Sequence, residues 1–193
     1  MKKSKLIKAI SAIALTIVCG ARIYYVNSKT IYPINTVYVK EKEVDIGNNF
    51  FDSAQEKMNG YSIEIIGTEL YPMSDFYTKY NVSQEELDDY YDYIYLVKVK
   101  FKNNTNDMGE KIGISLFNYV ITNNSFMTFS DLKMYKYVND FSELNFSLKK
   151  GTDKVITLPY SISNKKIDIN KFKKGNPQLI ISLYPTRKAI SLT

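Results

Sequence analysis

The stretch Tyr93–Lys102, YIYLVKVKFK, decides the fold class. Tyr93, Tyr95, Val97, Val99 and Phe101 fall on one parity, and Lys98, Lys100 and Lys102 on the other. Side chains of a strand point alternately to opposite faces, so this pattern predicts a strand with one face on a core and one in water. It runs into Asn103-Asn104-Thr105-Asn106-Asp107, a turn cluster that ends it. Asn103-Asn104-Thr105 also has the form of a glycosylation acceptor, and reads here only as a turn.

Working outward, Thr36–Asp45 alternates and reads as a first, edge-like strand, followed by a polar loop over Gly47–Asn59. Tyr61–Tyr71 places Tyr61, Ile63 and Ile65 on one face, with Gly67 as a bulge and Pro72 as the stop. Met73–Asp92 is a helical insertion. Within it Ser83 and Glu86 form a capping-box pattern, predicting a short helix over Gln84–Tyr91. Downstream, Lys111–Thr122 and Ser125–Ser130 form a hairpin across Asn123-Asn124, and Asp131–Asp140 is ambiguous, with room for a helical turn. Glu143–Leu148, Asp153–Ser163 and Gln178–Tyr184 are further strands, the last apolar enough to be central, with a basic loop over Asn164–Gly175. Short strands punctuated by turns, with little helix, predict an all-β, immunoglobulin-like antiparallel sandwich.

Composition agrees. Tyr (17) and Phe (10) are abundant and Gly (8) is scarce, which favours strands. The net charge of +6 suggests an acidic partner until it is located. Residues 1–22 hold Lys2, Lys3, Lys5, Lys8 and Arg22 and no acid, leaving 21 basic and 20 acidic groups for the rest. A nucleic-acid surface is therefore not expected. The lone cysteine, Cys19, lies in the apolar run Ala9–Ala21, so the remaining chain can form no internal disulfide, as is common in exported proteins of Gram-positive bacteria.

That run follows a lysine-rich start, the pattern of a signal sequence. It continues past Arg22 into Ile23, Tyr24, Tyr25 and Val26, so that Leu6–Val26 is long enough to span as an uncleaved anchor with its lysines inside. Cleavage after Ala21 is the alternative, giving a secreted protein. Lipidation at Cys19 is a third, although Val18 and Thr16 depart from the usual lipidation pattern. The expected organisation is an anchor over residues 1–27, a stalk over 28–35 and an extracytoplasmic β domain over 36–193.

Several of these features resemble a known family. They are Tyr93–Phe101 running into Asn103-Asn104-Thr105, the turn Leu148–Gly151 leading to Val155–Tyr160, the closing Leu179–Pro185, and Arg22–Asn27 at the end of the anchor. Together they resemble an uncharacterised family of small exported, membrane-anchored proteins of Gram-positive, Clostridia-like bacteria, whose domain has no assigned function. More distantly, residues 60–184 are similar to the telokin-like, immunoglobulin-like extracellular domains of bacterial surface lipoproteins. These resemblances imply a fold and an address, and no catalytic residue.

The chain has no His, the commonest general base and metal ligand, and no thiol outside the anchor. No phosphate loop, zinc spacing or calcium loop occurs, so no cofactor and no enzymatic activity are expected. The carboxylates Glu85, Glu86, Asp88, Asp89 and Asp92 read as a solvated helix face, with calcium bridging as the functional alternative. For a binding surface the candidates are Tyr90 and Tyr91, and the lysine pairs Lys149 and Lys150, Lys165 and Lys166, and Lys173 and Lys174, converging at one end of the sandwich. The expected function is a surface-tethered interaction or accessory domain of the cell envelope. The second expectation is an immunity-like or stress-related protein that sequesters a secreted peptide or toxin.

Overall fold

The computed structural model describes residues 2–29, 34–83, 85, 90–108, 113–123, 125–140 and 142–193. The chain divides into two compact units, Met1–Tyr32 and Pro33–Thr193.

The first unit is a single helix, α1 (Lys2–Lys29). Its 28 residues extend for ~42 Å at 1.5 Å per residue, more than the hydrocarbon core of a bilayer. Ile10–Lys29 is long and apolar enough to cross a membrane, by length and composition. Arg22 does not interrupt the helix, which continues through the first residues expected to form a stalk.

The second unit is built mainly of β-strands in antiparallel sheets. A four-stranded sheet has the order β2 (Val44–Asp45), β3 (Tyr61–Pro72), β4 (Tyr93–Asn103), β9 (Asp153–Ile162). A five-stranded sheet has the order β1 (Ile34–Tyr38), β11 (Thr186–Ser191), β10 (Gln178–Ser182), β6 (Ile121–Thr122), β7 (Met127–Thr128). A small third sheet pairs β5 (Ile114–Ser115) with β8 (Asn145–Phe146). Only β1 and β11 pair in parallel among the described residues.

One hydrophobic core joins the two main sheets. Ile63, Ile65, Val97, Val99, Phe101 and Leu158 come from the four-stranded sheet, and Ile121, Leu179, Ile181 and Ile190 from the five-stranded one. Each is essentially inaccessible to water, and burying a side chain of this size stabilises the fold by about 1.5–3 kcal/mol. The predicted face of β4 is the core face. Its other face is not all wet, however: Ile94 and Leu96 are buried beneath Met73 and Phe76 of α2 (Met73–Lys79) and Met134 of α3 (Leu132–Val138).

The bulge expected at Gly67 is present, as a register shift between Ile65 and Gly67 opposite β4. Three local expectations are corrected. The strand predicted over Thr36–Asp45 is two strands, β1 and β2, in different sheets. Glu41 stands between them at φ 64°, the left-handed region, which breaks the extended chain. The basic loop over Asn164–Gly175 contains a helix, α4 (Ile169–Lys174), capped by Asp168, whose side chain accepts from the backbone N–H groups of Asn170 and Lys171. The segment after Tyr184, where the sequence pattern predicts no strand, supplies β11, and β10 is central because β11 covers one side of it and β6 the other. The helical insertion begins at its very start, with α2; the helix expected over Gln84–Tyr91 falls largely outside the described residues.

Strand β9 ends its sheet, and an open edge invites pairing with other chains. Here α3 covers it. The Asn139 amide donates to Thr157 O at 2.8 Å and accepts from Thr157 N at 2.9 Å, taking the place of a neighbouring strand. Pro159, which has no N–H to donate, is tied through its carbonyl by Asp131 N and Ser130 Oγ.

Candidate functional site

The predicted surface residues divide between the two ends of β4. At its start, Tyr93 is opposite Ile162; at its end, Lys102 is opposite Asp153. Lys149 and Lys150 lie in the turn before β9, where Gly151 N donates to Asn103 O at 2.7 Å. Lys165 and Lys166 follow the other end of β9. At about 3.3 Å per strand residue the two groups are ~30 Å apart, so the three lysine pairs do not converge as expected. Lys150 meets Asp107 at 3.4 Å in an exposed ion pair, and Lys149 is exposed.

The remaining candidates do come together. Asp92 N donates to Ile162 O, and Asn164 N donates to the Asp92 carboxylate at 2.7 Å, pinning the Tyr90–Asp92 segment to the chain leaving β9. There, Lys166 N and Ile167 N both donate to Ser163 O, forming a tight turn. That turn sets the Lys166 ammonium 5.3 Å from the Tyr90 ring centroid. Tyr90 and Tyr91 pack edge to face at 5.1 Å. The Tyr90 hydroxyl accepts from the ammonium and raises its pKa above the ordinary lysine range.

Three depressions meet around this point. A cleft of about 490 Å³ is walled by Tyr90, Tyr91, Met127, Phe129, Ser163 and Lys166. Beyond Lys166 and Ile167 a second cleft of about 620 Å³ opens between the β6–β7 turn and α4, with Lys171 and Lys174 on its rim. On the other side, Met127 and Phe129 also wall a groove of about 390 Å³ completed by Phe117, Val120, Ile180 and Leu183, with Arg187 at its edge. Lys165 and Lys173 are exposed and line none of the three.

Phe129 is 64% exposed, Met127 59% and Phe117 50%, although each is large and apolar. The hairpin that presents Met127 and Phe129 is held by local bonds. Asn123 Oδ1 accepts from Ser125 N and Phe126 N, and Thr122 Oγ1 donates to Phe126 O. Phe126 turns inward to stack on Phe172 of α4 at 5.2 Å, which leaves Met127 and Phe129 outside.

Most carboxylates near the clefts are already engaged. Asp131 caps α3, accepting from Lys133 N and Met134 N, and also accepts from the Ser161 hydroxyl. Asp168 caps α4. Lys166, Lys171, Lys174 and Arg187 have no carboxylate partner among the described residues. Ser163 Oγ, by contrast, is buried with no hydrogen-bond partner among the described residues.

Sequence reasoning did not find Met127, Phe129 or Ser163. SFMTFS does carry a signal: Phe126, Met127 and Phe129 place apolar groups on both parities of a strand, one set more than a single core needs. Nothing in the sequence distinguishes Ser163 from its neighbours. Of the acidic cluster, Glu86, Asp88 and Asp89 lie outside the described residues. Among the described residues no group of three or more His, Cys, Asp or Glu side chains is placed to hold a metal ion.

No curated protein and no solved structure matches the chain. A family model does match, over residues 35–188, which is nearly the whole second unit. The chain therefore belongs to the family described as Domain of unknown function (DUF5028).

Proposed function

We propose that this chain is a non-catalytic interaction domain of the bacterial cell envelope, tethered at the outer face of a Gram-positive membrane by α1. Its working surface is the belt formed by the three depressions around the β6–β7 hairpin. The observation that carries the reading is the exposure of Phe117, Met127 and Phe129 beside Lys166, Lys171, Lys174 and Arg187, which form no ion pair among the described residues. Large apolar side chains grouped on a surface and rimmed by charge are the usual mark of a binding face. Lys2, Lys3, Lys5 and Lys8 at the start of α1 favour an orientation with that end inside and the β domain outside.

The strand order supports an immunoglobulin-like sandwich. If β3, β4 and β9 are taken as strands A, B and E, then β7, β6, β10 and β11 follow as C′, C, F and G. Antibody domains join strands B and F by a disulfide. Here Val97 and Val99 of β4 share the core with Leu179 and Ile181 of β10, consistent with a cysteine-free exported domain.

The test is made in intact Gram-positive cells expressing the full chain. A membrane-impermeant lysine reagent should label the domain. A photoreactive phenylalanine analogue at position 129 should give a cross-linked adduct, while the same group at position 98, on the opposite sheet, gives none. A domain shielded from the reagent, or adducts equal at both positions, would count against the proposal.

A further inference from the structure

We propose that the belt binds an extended, predominantly apolar peptide and seats its free C-terminal carboxylate in the cleft formed by Tyr90, Ser163 and Lys166. This deepens the interaction-domain reading and rests on it. Three independent observations carry it.

The first is an open edge. Strand β7 terminates the five-stranded sheet, paired with β6 on one side and with no strand on the other among the described residues. A terminal strand offers backbone groups to an added strand. Met127, in β7, walls both the apolar groove and the polar cleft, so a chain lying at this edge meets both.

The second is charge. Lys133 and Lys166 line the cleft, and Lys171 and Lys174 the one beside it. Among the described residues, the acids lining these two clefts are Asp131 and Asp168, and both accept helix-capping hydrogen bonds. The vacant complement is an anion.

The third is Ser163. Its side chain is only 3% exposed, it lines the cleft, and its hydroxyl has no partner among the described residues. A buried hydroxyl without a hydrogen bond is costly to the fold, and rotation about χ1 would turn it toward a carboxylate oxygen entering the cleft. Lys166, held in place by the Tyr90 ring, supplies the charge. An apolar peptide body fits Met127, Phe129, Phe117 and Leu183.

The experiment uses the full chain in phosphatidylcholine nanodiscs, with empty nanodiscs as the blank. The probe is a fluorescein-labelled hexapeptide of alternating leucine and serine, with either a free or an amidated C-terminus, read by fluorescence anisotropy. The free acid should bind about tenfold more tightly than the amide, the scale of one charge-assisted hydrogen bond. In Lys166→Met and in Ser163→Ala that ratio should fall toward one, and in Lys149→Met, at the far end of the domain, it should persist. Ser163→Ala removes an unpartnered hydroxyl, so it should unfold at or above the wild-type temperature. The proposal is overturned if acid and amide bind alike, if neither binds, or if the ratio survives in both site variants. An adduct at position 129 in cells, with no preference for the acid, would leave the interaction domain standing and remove the carboxylate seat.

Discussion

Asn103 closes the strand that defines the fold, and replacing it with alanine tests how the domain is held together at that end. Its side chain is fully buried and makes three hydrogen bonds. The amide donates to Asn106 O at 3.0 Å and Leu148 O at 2.7 Å, and its oxygen accepts from Asn106 N at 2.8 Å. In Asn103→Ala, Leu148 O keeps the Tyr61 hydroxyl as a donor at 3.3 Å. Asn106 N and Asn106 O lose the partners that Asn103 supplied. A buried polar group left without a partner costs about 1–3 kcal/mol, and Asn106 lies in a surface turn where water can reach it partly. The expected loss is therefore about 3 kcal/mol, or a fall in Tm of roughly 6–12 °C for a domain of this size. Urea unfolding and calorimetry of residues 33–193 measure it. The neighbouring Asn104→Ala, which removes a part-buried bond to Ser62 and an exposed one to Glu43, should cost less than about 1 kcal/mol. Should the two variants lose equal stability, or Asn103→Ala lose under about 1 kcal/mol, the buried network would not be what holds β4 to the turn before β9.

Glu43 accepts hydrogen bonds from Lys102, Ser62 and Asn104, in that order of importance, and its pKa falls to about 2. A carboxyl depressed in the folded state stabilises the fold above its unfolded pKa and loses that contribution as pH falls. Glu43→Gln should therefore flatten the stability profile between pH 4.5 and about 2 while changing it by under about 1 kcal/mol, because the pair is partly exposed. Asn139→Ala uncovers Thr157 on the β9 edge; denaturant titration should show a loss of about 1–2 kcal/mol. Gly60→Ala should be more damaging than most surface changes. Gly60 has φ +90°, and a Cβ there would stand 2.7 Å from Asn106 N, so a drop in yield of folded protein together with a lowered Tm is expected. Lys150→Ala, at an exposed pair, should leave stability within about 0.5 kcal/mol.

The alternation of β4, the bulge at Gly67, the Asn123 hairpin and the centrality of β10 were legible because each rests on local rules of parity or turn chemistry. The second burial of Ile94 and Leu96 was not, because it depends on α2 and α3 arriving from distant sequence. The break at Glu41 was hidden for a related reason: Val37, Val39 and Val44 suit a strand whether or not they share one. Tyr90, Tyr91 and Lys166 were each visible as candidates, yet only the pinning of Asp92 to Asn164 shows that they meet.

What the sequence by itself determined is the plan: an apolar N-terminal helix carrying most of the net charge and the only cysteine, then a nearly neutral β domain without histidine. Composition and period settle these, since they depend on residues counted or compared with near neighbours. The tertiary structure alone decided which surface faces outward and what stands on it. Lys149 and Lys150 went to one end and Lys166 to the other because antiparallel pairing sets the two ends of β9 a full strand length apart. Met127 and Phe129 were left in solvent because Phe126 took the single inward place beside Phe172. Ser163 carries a buried hydroxyl without a partner among the described residues, while its carbonyl holds the turn at Lys166 and Ile167.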